Sequence, residues 1–226
     1  MRFRPRSYSY IGKVSLLDMF SKPITDWDAL CKHVFDLLFA SMAIVLLSPV
    51  MISTAIAVKA MSPGPILFKQ KRYGFNNEVI EVLKFRSMFV DQEDLMARKA
   101  VTRDDPRVTR VGRFIRKTLI DELPQLFNVL CGDLSLVGPR LHALGANTDD
   151  KLWDQVIDGY FDCHKVKPGV TGWAQINGWR GECDTLNKIR HRIESDLYYI
   201  ENWSLGLDLY ILFLTPFRLF NTENAF

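Results

Sequence analysis

The chain has 226 residues, 48% of them hydrophobic and 24% charged, with a formal net charge of +3. That length suffices for one domain with its own core, and the composition is too apolar for extended disorder. Four cysteines with no C-x-x-C pair, and four histidines that do not cluster, argue against a disulfide framework and against a zinc site. Charge is uneven along the chain: residues 59–118 hold 14 Lys/Arg against 7 Asp/Glu, a local excess of +7. Such a block favours an anionic partner, with a solvated basic face as the plain alternative.

In chain order, residues 1–28 read as an irregular arm with a short amphipathic helix. Asp26-Trp27-Asp28 matches a short metal-dependent glycosyltransferase pattern but fits a helix start better. From Leu37 to Val58 runs an uncharged stretch, LLFASMAIVLLSPVMISTAIAV, that would reach roughly 33 Å as one helix. That covers a hydrocarbon core of about 30 Å. Pro49, preceded by Ser48, removes a backbone donor near the middle and predicts a bend there, which the Ser48 hydroxyl can ease. Both flanks are basic: Arg2, Arg4, Arg6, Lys13, Lys22 and Lys32 lie before the run, and Lys59, Lys69, Lys71 and Arg72 after it. The positive-inside rule then places both ends in the cytoplasm, as a re-entrant helix bent at Ser48-Pro49 would. A kinked ordinary span is the alternative.

Beyond the run, Ser62 to Pro65 is a turn, and Ile66 to Phe68 with Val79 to Phe85 read as a β-hairpin turning at Gly74-Phe75-Asn76-Asn77. A polar helix is expected over 90–100. A basic helix follows Asp104-Asp105-Pro106, with cations at 110, 113, 116 and 117 on one face. A helix around residues 149–162 comes next, and then the Gly- and Trp-rich KPGVTGWAQINGWRG, which reads as an ordered surface loop or short strands. TLNKIRHRIESDLYYIENW is a helix. SLGLDLYILFLTPFRLF is strongly apolar, but Asp208 and Pro216 speak against a second span, leaving a headgroup-level helix or a core helix.

The most informative stretch is RKTLIDELPQLFNVLCGDLSLVGPR. Leu123, Leu126, Phe127 and Leu130 form a helical apolar stripe stopped by Gly132, so a helix of about ten residues starts near Asp121. Asp121 fits its N-cap, and Pro124 fits the first turn. Capping alone accounts for an acid there. The surroundings add a second reading. Arg116 and Lys117 precede the pair and Arg140 follows it, so the aspartate is expected ionised and available as a nucleophile. Its neighbour Glu122 is suited to hold Mg²⁺. Adjacent carboxylates suit attack on phosphorus better than glycoside hydrolysis, which needs two carboxyls about 5 Å or more apart across a sugar.

With SPGPILFKQKRYG, VLKFRSM, DDPRVTRVGRFIRKTLIDELPQLFNVLCGDLSLVGPR and KPGVTGWAQINGWRGECDTL in this order, the chain resembles the bacterial sugar transferase family from about Lys32 to Pro216. These are monotopic polyprenyl-phosphate phosphoglycosyl transferases, and the likeness is to the free catalytic domain of the exopolysaccharide-initiating branch. The resemblance implies an α+β, mostly helical fold. It would comprise an N-terminal arm (1–31), a re-entrant membrane helix (32–61) broken at Ser48-Pro49, and a cytosolic catalytic domain (62–226) with a small β-hairpin and amphipathic interfacial helices. It implies location on the cytoplasmic face of the bacterial inner membrane. The implied partners are a UDP-sugar and undecaprenyl phosphate, with Mg²⁺ as cofactor, and a homodimer is left open. It implies that Asp121 attacks the β-phosphorus and expels UMP, with a sugar-phosphoryl aspartate between the two transfers. Glu122, with Asp121, would bind Mg²⁺, and Lys84, Arg86, Arg116 and Arg140 would hold phosphates. Glucose 1-phosphate is the expected group, galactose 1-phosphate the runner-up. Leu119, Leu141 and Ser87 depart from the family pattern, which expects a small serine, a proline and a threonine there.

Two other classes compete with this expectation. In a non-enzymatic membrane-surface protein, Asp121-Glu122 would only cap a helix. A nucleic-acid binder would use the basic block, but no reading module is recognisable and the apolar run goes unexplained.

Overall fold

The structure is a computed structural model that describes residues 7–11, 14–18, 24, 26–89, 105–140, 147–148, 151–152, 160–179 and 185–219. The N-terminal arm contains an antiparallel pair, β1 (Ser7–Ile11) and β2 (Val14–Asp18), rather than an irregular segment. Aromatic residues alternating with serine in SYSYI suit a strand. A single helix, α1 (Asp26–Met61), then runs for 36 residues, about 54 Å if straight. It is long and apolar enough to cross a membrane. The helix begins at Asp26, as the Asp-Trp-Asp start implied, and continues through Pro49 without an interruption. The Ser48 hydroxyl donates to the Val45 carbonyl at 2.8 Å, one turn back.

The residues of α1 are sorted by face. Lys32, Asp36, Ala40, Met51, Thr54 and Val58 are buried, a stripe at helical spacing that runs along nearly the whole helix. Leu38, Met42, Val45, Leu46, Ile52 and Ile56 are exposed on the rest of its surface. The N-terminal half packs with Leu136, Val137 and Ile211, and the C-terminal half with Phe85 and Ile115. Both halves of the helix therefore lie against the same body.

That body begins with the expected hairpin, β3 (Leu67–Tyr73) and β4 (Val79–Phe85), in register from Leu67 opposite Phe85 to Tyr73 opposite Val79. A 3-10 turn at Phe75–Asn77 closes it, with Asn76 and Asn77 at positive φ, where asparagine is tolerated. Because side chains alternate, Phe68, Gln70 and Arg72 share one face with Ile80, Val82 and Lys84. The buried Asn128 amide fastens β4 to the helix behind it, accepting from Leu83 N at 2.9 Å and donating to the Glu81 carbonyl at 2.8 Å.

The basic helix is α2 (Arg110–Thr118), capped by Thr109, whose hydroxyl accepts from Gly112 N at 2.8 Å. Gly112 is needed for close approach: a Cβ there would stand 1.9 Å from the Ser87 carbonyl. The helix after the acid pair is α3 (Gln125–Cys131), ended by Gly132 at φ 85. It leads into β5 (Ser135–Val137), parallel to β8 (Gly169–Thr171). A short antiparallel pair, β6 (Asn147–Thr148) and β7 (Lys151–Leu152), and a 3-10 helix at Tyr160–Lys165 lie between them. The α-helix expected around 149–162 is thus absent from its described parts. The helix expected over 90–100 lies outside the described residues.

The Gly- and Trp-rich segment forms a short strand, one of its two expected readings, and a short helix rather than a surface loop. It supplies β8 and the short α4 (Trp173–Ile176), and Gly169, Thr171, Ala174 and Ile176 are buried. Its glycines allow this, since a Cβ on Gly169 would fall 2.1 Å from Gly138 N. Helices α5 (Leu186–Glu201) and α6 (Leu205–Leu219) complete the body.

Helix α6 answers the question that Asp208 poses. The carboxylate is fully buried and receives Lys32 Nζ of α1 at 2.7 Å and Trp203 Nε1 at 3.2 Å. The Tyr199 hydroxyl stands 2.8 Å from its other oxygen. Asp36 of α1 accepts from Leu136 N of β5 at 3.2 Å. A buried charge is tolerated when paired and hydrogen-bonded in this way. Ile211 lies on the packed side of α6, whereas Leu209, Tyr210, Phe213 and Phe217 are exposed. The helix is therefore both a core element and the carrier of an exposed apolar face.

Candidate active site

Asp121 and Glu122 sit on a 3-10 turn, Ile120–Glu122, between α2 and α3. Leu119 creates this turn. It ends α2 in the left-handed conformation, φ 59 and ψ 15, a position that normally selects glycine or asparagine. Asp121 therefore does not cap α3, contrary to the expectation from the apolar spacing: Pro124 occupies that position, and no side-chain cap bond forms. Ile120 and Leu123 pack with Phe85, Ile115, Met51 and Val58 beneath the turn. The C-terminal half of α1 is thereby part of the floor on which the acid pair rests.

Glu122 and three elements converge. Lys84, the penultimate residue of β4, reaches Glu122 Oε1 at 2.9 Å. Arg140, just after β5, stands 3.9 Å from the same oxygen. Arg116, in the last turn of α2, is oriented toward Ser87 Oγ at 3.5 Å, so the serine that departs from the family pattern still contacts this arginine.

Asp121 is 9% exposed, and its Oδ1 is buried without a hydrogen-bond partner. Burial, reinforced by the charge of Glu122, raises its carboxyl to about 6; Lys84 and Arg116 oppose the rise without cancelling it. This reverses the expectation that neighbouring cations would hold the carboxyl low. Desolvation is the larger effect. The consequence suits chemistry, because a carboxylate with a pKa near 6 is about ten-to-one ionised at pH 7 and more basic than an exposed one.

Two of the expected site residues are placed differently from the rest. Arg86 is buried at 2% exposure, and its guanidinium donates to the carbonyls of Ser62 at 2.6 Å and Pro63 at 3.1 Å. It clamps the turn that follows α1. Ser48 and Pro49 lie in α1, outside the acid-pair cluster.

Arg72 is a cation that motif reading did not single out. It shares the hairpin face of Lys84, its NH2 donates to Gln70 Oε1 at 2.9 Å, and burial and Arg140 lower its pKa to about 10 while Glu122 opposes them. It remains charged at neutral pH. The alternation of β3 was the signal that could have found it.

Behind Arg140 stands a second buried carboxyl, Asp196 of α5. Its Oδ2 accepts from Arg140 N at 3.4 Å, and burial raises it to about 7 against the pull of Arg192 and Arg140.

No group of three or more His, Cys, Asp or Glu that could hold a metal occurs among the described residues. The two carboxylates of Asp121 and Glu122 nevertheless fit Mg²⁺, which commonly takes one or two protein carboxylates and completes its shell with substrate phosphate and water. The unpartnered Oδ1 of Asp121 is the kind of hard oxygen such an ion accepts.

The site is thus a turn carrying buried and cation-flanked carboxylates, on a body packed against a helix long and apolar enough to cross a membrane. Over residues 27–222 the chain matches the bacterial sugar transferase family, and it belongs to that family. It is 48% identical over 213 residues to the UDP-glucose:undecaprenyl-phosphate glucose-1-phosphate transferase of Escherichia coli (strain K12), covering 94% of this chain and 45% of that protein. It is 44% identical over 188 residues to the exopolysaccharide production protein PSS of Rhizobium leguminosarum bv. phaseoli, covering 83% of this chain and 94% of that protein. It is 46% identical over 188 residues to the UDP-N-acetylgalactosamine-undecaprenyl-phosphate N-acetylgalactosaminephosphotransferase of Aeromonas hydrophila, covering 83% and 43%. The chain thus spans less than half the length of the first and third of these relatives.

Proposed function

We propose that the chain transfers a sugar 1-phosphate, glucose 1-phosphate first among the options, from a UDP-sugar to undecaprenyl phosphate, as the membrane step that starts exopolysaccharide assembly. The observation that carries the reading is the acid pair: a buried aspartate with an unpartnered oxygen, flanked by Lys84, Arg116 and a glutamate tied to Lys84 and Arg140. The family and the names of the relatives support the substrate class.

In the first half-reaction a carboxylate oxygen of Asp121 forms a bond to the β-phosphorus. The bond from that phosphorus to the bridging oxygen breaks, and UMP departs with the electron pair. In the second, a phosphate oxygen of undecaprenyl phosphate attacks the same phosphorus and the aspartyl–phosphorus bond breaks. The Asp121 carboxylate is regenerated and undecaprenyl-diphosphate-sugar leaves. Arg116, Arg140 and Lys84, with Arg72 beside them, hold the diphosphate and meet the charge that develops on its oxygens. Mg²⁺, held by Glu122 and Asp121, supplies further charge neutralisation when bound.

We place α1 in the cytoplasmic leaflet as a re-entrant element bent at Ser48-Pro49. The contact of both its halves with one body supports this reading, since a helix that crossed the bilayer would carry one half away from the domain. Tags at both termini should then be accessible only from the cytoplasm, and a periplasmic C-terminus would overturn the placement.

The functional test is UMP release in detergent with undecaprenyl phosphate and a panel of UDP-glucose, UDP-galactose and UDP-N-acetylgalactosamine. Release with UDP-glucose, dependent on Asp121, is expected. No release with any of the three contradicts the proposal.

A further inference from the structure

We propose that Asp196 is a positioning residue for Arg140, gripping the Gly138-Pro139-Arg140 turn by its backbone so that the arginine side chain stays against Glu122. The kinetic consequence rests on the transfer reading above; the structural claim does not.

The buried face of α5 consists of Ile189, Arg192, Ile193, Asp196, Tyr199 and Ile200. Most of it is what a helix packed on a core requires. Arg192 and Asp196 are the two charges on that face, one turn apart, and each is directed at a loop rather than at the core. Arg192, 6% exposed, donates from Nε to the Trp179 carbonyl at 3.1 Å. Asp196, fully buried, accepts from Arg140 N through Oδ2, and its Oδ1 has no hydrogen-bond partner. A buried carboxylate is costly wherever an apolar residue would pack as well. Here it stands at the point where the chain leaves β5 for the site.

A parallel bridge pairs Arg140 with Gly169, and two backbone hydrogen bonds hold the turn before it. Gly138 N donates to the Thr171 carbonyl at 2.9 Å, and Gly169 N donates to the Pro139 carbonyl at 2.9 Å. Pro139 has no N–H to offer. The Arg140 amide is the last donor before the guanidinium that reaches Glu122, and Asp196 is what receives it. Asp196 reaches the site through the Arg140 amide, so its influence on transfer passes through Arg140.

The test uses the full chain in detergent with Asp196→Asn, Asp196→Ala, Arg140→Ala and the double variant Asp196→Ala/Arg140→Ala. Asparagine keeps an acceptor oxygen for the Arg140 amide and should rescue function. Asp196→Ala should melt cooperatively yet lose about tenfold or more in kcat/KM, mostly through KM for the UDP-sugar, while Asp196→Asn stays within about threefold of the parent. In the Arg140→Ala background the alanine at 196 should add little, because coupled residues are not additive. Hydrogen–deuterium exchange across 135–140 should rise in Asp196→Ala and not in Asp196→Asn, a readout independent of turnover. Unchanged exchange in Asp196→Ala, or a full additive loss on top of Arg140→Ala, overturns the proposal. A parent protein that releases no UMP sinks the transfer reading alone, and the exchange data still decide the role of Asp196.

Discussion

Replacing Asp121 with asparagine should abolish transfer and stabilise the protein at the same time. Its carboxyl titrates near 6 in the folded chain against 3.8 for an unperturbed aspartate, a rise caused first by burial and then by Glu122. The folded state therefore binds more protons than the unfolded state between those two values. Wild-type stability should fall as pH rises through that window and level off above it. At 1.36 kcal/mol per unit, the ionised side chain costs on the order of 3 kcal/mol at pH 8. Asparagine removes the charge and keeps the shape. The unfolding midpoint of Asp121→Asn should exceed the parent's at pH 8 by several degrees, at about 2–4 °C per kcal/mol for a chain of this size. At pH 4 the two proteins should melt nearly together. The assay is a fluorescence-detected melt in detergent at both pH values. A variant less stable at pH 8, or an equal difference at both pH values, refutes the claim that burial strains this carboxylate.

Two further outcomes follow from the same geometry. Lys84→Met removes a charge that lowers Asp121, so the acidic limb of the pH–rate profile should move to higher pH while KM for the UDP-sugar rises; an unmoved limb would separate Lys84 from Asp121. Lys32→Met strands the buried Asp208 carboxylate and should cost about 3–5 kcal/mol in stability, with Lys32→Met/Asp208→Leu recovering much of it; melts of the two variants and the parent decide this.

The parts of this fold that could be read in the sequence are those governed by local pattern. Alternation from Val79 to Phe85 and the Gly-Phe-Asn-Asn turn were enough for the hairpin, and the stretch TLNKIRHRIESDLYYIENW was enough for α5. The acid pair was legible because the adjacent carboxylates stand between Arg116 with Lys117 and Arg140, although an acid at that position is ordinary by itself. What escaped was set by contacts distant in sequence. The apolar stripe after Asp121 implied a helix starting there, but Leu119 takes a left-handed conformation and inserts a 3-10 turn, so the acids leave the capping position. Asp208 weighed against a membrane span, but its partner Lys32 lies 176 residues earlier. Arg86 carries the right charge in the right motif, and only the fold reveals that the Ser62-Pro63 turn takes up its guanidinium. Arg72, though inside SPGPILFKQKRYG, stood there as one basic residue among several, and Asp196 had no motif to mark it. Their roles come from a shared strand face and from a helix packed behind a loop.

The most direct test of the account is mass spectrometry of the protein incubated with UDP-glucose without acceptor. A single hexose-phosphate increment on the peptide containing Asp121, with matching UMP release and disappearance on adding undecaprenyl phosphate, is the predicted result. UMP release that requires the acceptor from the outset, with no adduct on Asp121, would contradict the covalent aspartate and with it the reason for burying that carboxylate.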